Sequence, residues 1–549
     1  MPAHLPTPGD GNEAFQPRRA AAGEVPEAVP TPGTPRRALA PEPASEGIGS
    51  AAGWTVLGTI LPGLGLWRSG RKIVGSLIMA VVILLVAGLV GFALTQRQAI
   101  VALATNPQVL RGAAIALLVL AVAWVIVIGA THLALRPSGA TTGQRIAGAA
   151  LVGALSFVVA APLALGANVA YSASSLVANV FVPTGDDHES ETVPTISNPV
   201  DPWAEWDRLN VLILGGDSGT GRSEKLGMRP DTVIVASIDT KSGATTLFSL
   251  PRQTARMPFP EDHKLSKYFP NGWYDPSNPK SADYWLNAMY RFAPPRVPKD
   301  VMGKTKFLAE DIMKVSVGEA LGLDINYFVT VNMDGFKDII NALGGITVNV
   351  NEPIPIGGDT DRNIPPKDWI DPGPDQHLTG RKALWYARGR WGYSDYERMG
   401  RQRCVINAVA QQANPQNVLL NFQKIAAAGE KTVTTDIPDT MVGPMLELAT
   451  KVQGTSFRSI VFVNGKDGFS TLTPNWEKVR KQVKTALKET TKANKPTPSA
   501  DPSATPSGNP SESPSTEPSK SAKPKSENLD DLCAYNPTGK IPKGYKKNR

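Results

Sequence analysis

Three long runs without a single Asp, Glu, Lys or Arg constrain this chain more than anything else in it: residues 73–94, 112–135 and 146–170. A helix over each run matches the roughly 30 Å hydrocarbon core of a bilayer, which predicts three membrane spans rather than buried core helices. A fourth run, 54–67, is shorter and is broken by Pro62, Gly63 and Gly65. It reads as a re-entrant or interfacial segment. Arg68, Arg71 and Lys72 closely precede the first span, and Arg136 and Arg145 lie between the second and third; Arg97 and Arg111 lie between the first and second. This bias places the N-terminus in the cytoplasm and everything after Ala170 outside, in a multi-pass cell-membrane protein.

The rest of the 549 residues divides by composition. Residues 1–50 have no apolar periodicity and read as a disordered cytoplasmic tail, without the apolar core of a cleavable signal. The membrane region occupies 51–181. Residues 182–207 are acidic and Pro-containing and read as a linker. A globular domain is expected over 208–492, followed at 493–549 by a Pro/Ser/Lys-rich disordered tail with a small Cys-containing end. A net charge of +8 and a pI near 9.2 suit an anionic partner, membrane lipid included. No helix-turn-helix, zinc-ligand spacing or RNA-binding aromatic pattern supports nucleic acid as that partner.

In the globular part, "NVLILGG", "TVIVASID", "ATTLFSL", "YFVTVNM", "GITVNV" and "SIVFVNG" read as strands. "KFLAEDIMKVSVGEALG", "GFKDIINAL", 395–413 and 474–492 read as helices. The alternation predicts an α/β fold, a layered α-β-α domain with a central mixed sheet.

The chemistry concentrates in "ALWYARGRWGYSDYERMGRQRCV", residues 383–405, where Arg388, Arg390, Arg398, Arg401 and Arg403 crowd together with Asp395 and Gln402. Guanidinium forks match phosphate oxygens. The alternative is a solvated helix with Asp395–Arg398 and Glu397–Arg401 pairs; it accounts for Arg401, and Arg403 as a surface residue, better than for Arg388 and Arg390. Upstream, Asp217 and Asp231 each flank an apolar strand. They are either carboxylates for a hard cation or turn-forming aspartates. Carboxylates plus arginines are the components of phosphoryl transfer. No Ser nucleophile elbow or Cys–His arrangement points to a covalent intermediate. His263 and His377 have no partner pattern.

Five motifs in order resemble the LytR-CpsA-Psr family of cell-wall proteins: "NVLILGGDS", "MRPDTVIVASID", "FSLPRQT", "FKDIINALGGITVNV" and "HLTGRKALWYARGR…SDYERMGRQR". The resemblance implies a membrane-anchored phosphotransferase. Such an enzyme moves an anionic glycopolymer from a polyprenyl-pyrophosphate carrier to peptidoglycan outside the membrane, using Mg2+, with Mn2+ as an alternative. By the same resemblance Asp217 and Asp231 hold the metal. Arg229, Arg252, Lys264, Arg388, Arg390, Arg398 and Gln402 bind pyrophosphate, with Arg252, Arg388 and Arg390 catalytic. Gln253 stands where the family carries Asp, and Arg222 competes with Arg229 for the phosphate. Two rival readings use the same residues: a polyprenyl-pyrophosphate phosphatase, and a non-enzymatic wall-binding or regulatory membrane protein.

Cys404 and Cys533 both fall on the expected outer side. An even pair in an oxidising compartment suggests a disulfide pinning the end of the chain beside the arginine helix, with two free thiols as the alternative.

Overall fold

The computed structural model describes residues 47–96, 103, 106–183, 189–198, 201–216, 228–360, 362–413, 424–425, 428, 433–493 and 526–547. Asp217 and Arg222, residues 1–46 and the low-complexity stretch 494–525 lie outside the described residues.

The apolar runs fall in α3 (Lys72–Thr95), α4 (Pro107–Leu135) and α5 (Thr142–Val180), helices long and apolar enough to cross a membrane. Residues 54–67 lie on two further helices, α1 (Ile48–Ile60) and α2 (Leu64–Arg68), joined through Gly63 at φ +98°. Local chemistry sets the ends of α4 and α5. Asn106 Oδ1 accepts from the Gln108 and Val109 amides ahead of Pro107, and Thr141 forms a capping box with Gln144. The two helices run antiparallel, with Arg111 Nε donating to Ser174 Oγ (3.0 Å) and Ser174 Oγ donating to the Pro107 carbonyl (2.8 Å).

After α5 the chain is tied directly to the globular part. The Val182 amide donates to the Ile437 carbonyl (3.0 Å) and its carbonyl accepts from Asp439 (2.9 Å). The stretch expected as a linker also supplies Trp203 and Trp206, which pack edge-on and join Tyr327 in a buried cluster. Acidic composition concealed these two aromatic anchors.

The globular part is built on a seven-stranded mixed sheet. Its strands are β1 (Arg208–Gly216), β2 (Pro230–Asp239), β3 (Thr245–Ser249), β4 (Tyr327–Val331), β9 (Val433–Thr435), β10 (Arg458–Val461) and β11 (Glu527–Asn528), in the spatial order β9-β4-β1-β2-β3-β10-β11. β4 runs parallel to β1 and β10 parallel to β3, while β1, β2 and β3 form an antiparallel meander. Strand alternation divides the core. Leu212, Leu214, Val233, Val235 and Phe248 face one layer with α6 (Leu286–Phe292), α7 (Leu308–Leu321) and α12 (Trp476–Ala493). Ile213, Ile234, Ala236 and Leu247 face the other, with Phe457, Ile406 and Val452 of α11 (Val442–Gln453). Helix α7 stops at Gly322 (φ +67°), in the left-handed region that glycine enters without steric cost.

"GITVNV" does not join the sheet. It forms β5 (Ile346–Val350), paired antiparallel with β8 (Gly373–Leu378); β6 (Ile354–Ile356) pairs with β7 (Asp368–Ile370). These hairpins share a second core with α8 (Met333–Ala342), α9 (Gly380–Arg388) and α10 (Asp395–Gln412). Helix α10 bridges the two cores, with Val405 in one and Ile406 against the other.

The Cys-containing end of the chain is tied down beside the arginine helix by the expected disulfide, and a short strand adds to it. β11 pairs antiparallel with β10, Leu529 is fully buried, and Cys533 is disulfide-bonded to Cys404 on α10.

Candidate active site

The sheet's topology brings distant residues to one end of its central strands. The antiparallel register opposes Ile234 to Ser249, so the entry of β2 and the exit of β3 lie together. Asp231 at that entry receives Arg252 from the loop after β3: Arg252 Nη1 sits 2.6 Å from Asp231 Oδ1. Arg398, on the first turns of α10, donates from Nη2 to the Asp231 carbonyl (2.9 Å) and lies 3.0 Å from Asp395 Oδ1. Arg252 Nε approaches the same Asp395 oxygen at 3.8 Å. Two guanidiniums and two carboxylates thus form one network.

This network floors a cavity of about 300 Å³ that Arg229, Arg388 and Arg390 also line. Five arginines and two aspartates, Asp231 and Asp359, face it, so its field is strongly cationic. Burial raises the Asp231 carboxyl, but Arg252, Arg398 and Arg390 outweigh that effect and hold it below the ordinary carboxylate range. Burial lowers the Arg398 pKa, against the opposing pull of Asp395 and Asp231. Arg398 Nε is buried without a hydrogen-bond partner among the described residues.

Arg388 and Arg390 reach the cavity through a tight turn at the end of α9. The Arg388 guanidinium stacks 5.0 Å from the Trp385 ring. Between the two arginines, a Cβ on Gly389 would lie 2.9 Å from both the Pro355 and Trp385 carbonyl oxygens, so the turn needs glycine for space. Arg401 braces it, donating from Nε to the Tyr386 carbonyl (2.7 Å) and from Nη2 to the Gly389 carbonyl. The expected Glu397–Arg401 pair is replaced: Glu397 caps the Ser394 amide and pairs with Lys540 (2.7 Å), because Arg401 turns inward to backbone oxygens. Arg403, read as a surface residue, is 4 % exposed and donates to Ser459 Oγ, with Glu527 at 3.5 Å.

Two residues of the expected site, Lys264 and Gln402, lie away from the cavity. Lys264 is on a 3-10 turn, ion-paired with Glu191, and does not line the cavity. Gln402 Nε2 donates back to the Ala387 carbonyl (3.3 Å) and likewise does not line it. Asp217 lies outside the described residues, as stated above, immediately after the last described residue of β1, Gly216, which pairs with Pro230. The sequence reading missed Trp285, Asn287, Trp385, Trp391 and the loop 357–360 as cavity walls. The last had a visible signal, the pair Gly357 and Gly358, both with positive φ.

For a divalent cation, the oxygen chemistry of Asp231 fits. Oδ1 is engaged by Arg252, while Oδ2 lies 3.7 Å from Arg398 Nη1, beyond hydrogen-bond distance, and is the oxygen able to take a hard cation. No cluster of three or more His, Cys, Asp or Glu occurs among the described residues, so ligand phosphate oxygens and water would complete such a site.

Membrane-length helices thus lead into an α/β domain with a strongly cationic cavity at one end of its central strands. The chain belongs to the LytR_cpsA_psr family, whose sequence pattern matches residues 177–492, more than half of its length. It is 31% identical over 231 residues to the polyisoprenyl-teichoic acid–peptidoglycan teichoic acid transferase TagU of Enterococcus faecalis, covering 42% of this chain and 61% of that one. It is 28% identical over 231 residues to the Bacillus subtilis transferase TagV, covering 42% of this chain and 50% of that one. The chain therefore spans between half and two thirds of these relatives. The crystal structure of B. subtilis TagV superposes with a TM-score of 0.35 at 24% identity, over 51% of this chain and 96% of that one.

Proposed function

We propose that this protein is a membrane-anchored phosphotransferase that moves a glycopolymer from a polyprenyl-pyrophosphate carrier onto peptidoglycan. The observation that carries this reading is the convergence of Arg252, Arg388, Arg390 and Arg398 around Asp231 in one cavity. The printed names of the relatives, teichoic acid transferases, point the same way.

The carrier's diphosphate lies against the four arginines, whose fixed donors need no reorganisation as charge moves to the leaving group. A sugar hydroxyl of peptidoglycan attacks the phosphorus that bears the glycopolymer. A new P–O bond forms, the bridging P–O–P bond breaks, and polyprenyl monophosphate leaves. Asp231 and Asp217 would hold Mg2+, or Mn2+, which would offset negative charge on the phosphates. Asp231 is held below the ordinary carboxylate range by Arg252, Arg398 and Arg390, which suits it to hold a cation through Oδ2 while positioning Arg252 through Oδ1 and makes it a poor base. Asp217 is the base the sequence offers for the hydroxyl proton. Helices α3, α4 and α5 keep the domain where carrier lipid is available, with the N-terminus cytoplasmic and the catalytic domain, from about 208 onward, outside.

The test incubates the purified full chain with a polyprenyl-pyrophosphate-linked glycopolymer, with and without peptidoglycan, and follows polyprenyl phosphate and wall-linked polymer. Both products should require the acceptor. Carrier cleavage without acceptor would instead favour a phosphatase, and binding without turnover a non-enzymatic role.

A further inference from the structure

The last described segment of the chain runs from the sheet edge to the rim of the arginine cavity. Two anchors secure its first part: β11 pairs with β10, and Cys533 is bonded to Cys404. Neither anchor requires the residues that follow, yet these continue along the 389–398 turn. Lys540 Nζ pairs with Glu397 (2.7 Å) and lies 4.7 Å from the Tyr393 ring. The Lys543 carbonyl accepts the Trp391 indole N–H (3.0 Å). Gly392 has φ +79°, and a Cβ there would lie 2.9 Å from Pro542 Cβ. Tyr545 fixes the far end, donating to Asp371 Oδ1 (2.9 Å) and meeting the Trp369 ring edge-on.

Trp391 belongs to both structures: it lines the arginine cavity, and its one polar atom is held by the strap. The turn that the strap grips carries Arg390 and leads into the turn of α10 that carries Arg398. We propose that residues 535–547 are a positioning strap for the cavity, holding Trp391 and the 389–394 turn so that Arg390 and Arg398 are preset for a diphosphate ligand. The gain is preorganisation: a rim fixed before binding loses less freedom when the ligand arrives. This inference rests on the reading of the cavity as a pyrophosphate site.

The probe is geranyl pyrophosphate, titrated calorimetrically into the full chain, into a chain ending at Ala534, and into Trp391→Phe and Arg388→Ala. The chain ending at Ala534 keeps β11 and the disulfide. It should bind about tenfold more weakly, while its thermal midpoint falls by only a few degrees. Trp391→Phe keeps an aromatic ring and loses the indole N–H, and should bind about threefold more weakly with a midpoint lower by at most a few degrees. A purely structural segment would move stability and leave the affinity of the folded fraction alone. Wild-type affinity in both strap variants, with binding lost in Arg388→Ala, overturns the strap. If the shortened chain does not fold, unchanged affinity in Trp391→Phe overturns it. Undiminished binding by Arg388→Ala overturns the cavity reading beneath it, and the strap proposal with it.

Discussion

Arg398 and Arg403 share one helix, are about equally buried at 3 % and 4 % exposed, and serve different ends. Burial lowers the pKa of both. Arg398 shares Asp231 and Asp395 with Arg252, beside a cavity that three more arginines line. Arg403 instead meets a serine hydroxyl and one carboxylate across the strand joint of β10 and β11. A buried arginine is therefore no mark of a ligand site in itself. The mark is a surplus of guanidiniums over carboxylates around open volume, because that surplus is costly until an anion arrives.

The comparison breaks first at the cavity. Arg388→Ala should cut transfer by about 100-fold or more with little change in thermal midpoint, as loss of an oriented donor does. Assays at matched protein levels, paired with melting curves, would check this. On the clamped side, Cys533→Ser should cost about 2–4 kcal/mol in urea unfolding, given the long loop that the bridge to Cys404 closes. Transfer per folded molecule should change far less than in Arg388→Ala. Gly389→Ala lies between the two sides: its Cβ would press on two carbonyl oxygens and displace both flanking arginines. A loss of about 1–3 kcal/mol is expected, with a disproportionate fall in transfer. Arg403→Ala should lower stability by about 1–3 kcal/mol and spare turnover, read by the same two measurements.

The smallest effect concerns acid. The folded Asp231 carboxyl is held below its unfolded value, so its contribution to stability is present above the unfolded value, near 4. That contribution is lost as pH falls through the folded value. Asp231→Asn should flatten this part of the acid-unfolding curve; an unchanged curve would show that its charge interactions do not contribute.

The sequence made some of this visible and hid the rest for physical reasons. Uncharged runs announce helices α3, α4 and α5 because a bilayer demands length and apolarity together. Continuous apolar runs such as "NVLILGG" announce buried strands, since neighbours such as Leu212 and Ile213 face different layers and both pack against a core. The arginine stretch is conspicuous, but its partition is not. Arg401 turns toward carbonyls and Gln402 toward Ala387 because of how α9 and α10 pack, and spacing along one helix carries no information about the other. The "GITVNV" strand reads like the others, yet it belongs to a hairpin outside the main sheet, because strand pattern does not name a partner. Glu527–Asn528 is too short to register as a strand. It becomes one only against β10, beneath a disulfide and a buried Leu529.

The central claim is that Arg252, Arg388, Arg390 and Arg398 together receive a diphosphate. Its most direct test is a crystal structure of the protein with geranyl pyrophosphate bound. The account predicts the diphosphate in the cavity beside Asp231, with its oxygens within hydrogen-bond distance of these guanidiniums. A diphosphate bound elsewhere, or an empty cavity at saturating ligand, would contradict it.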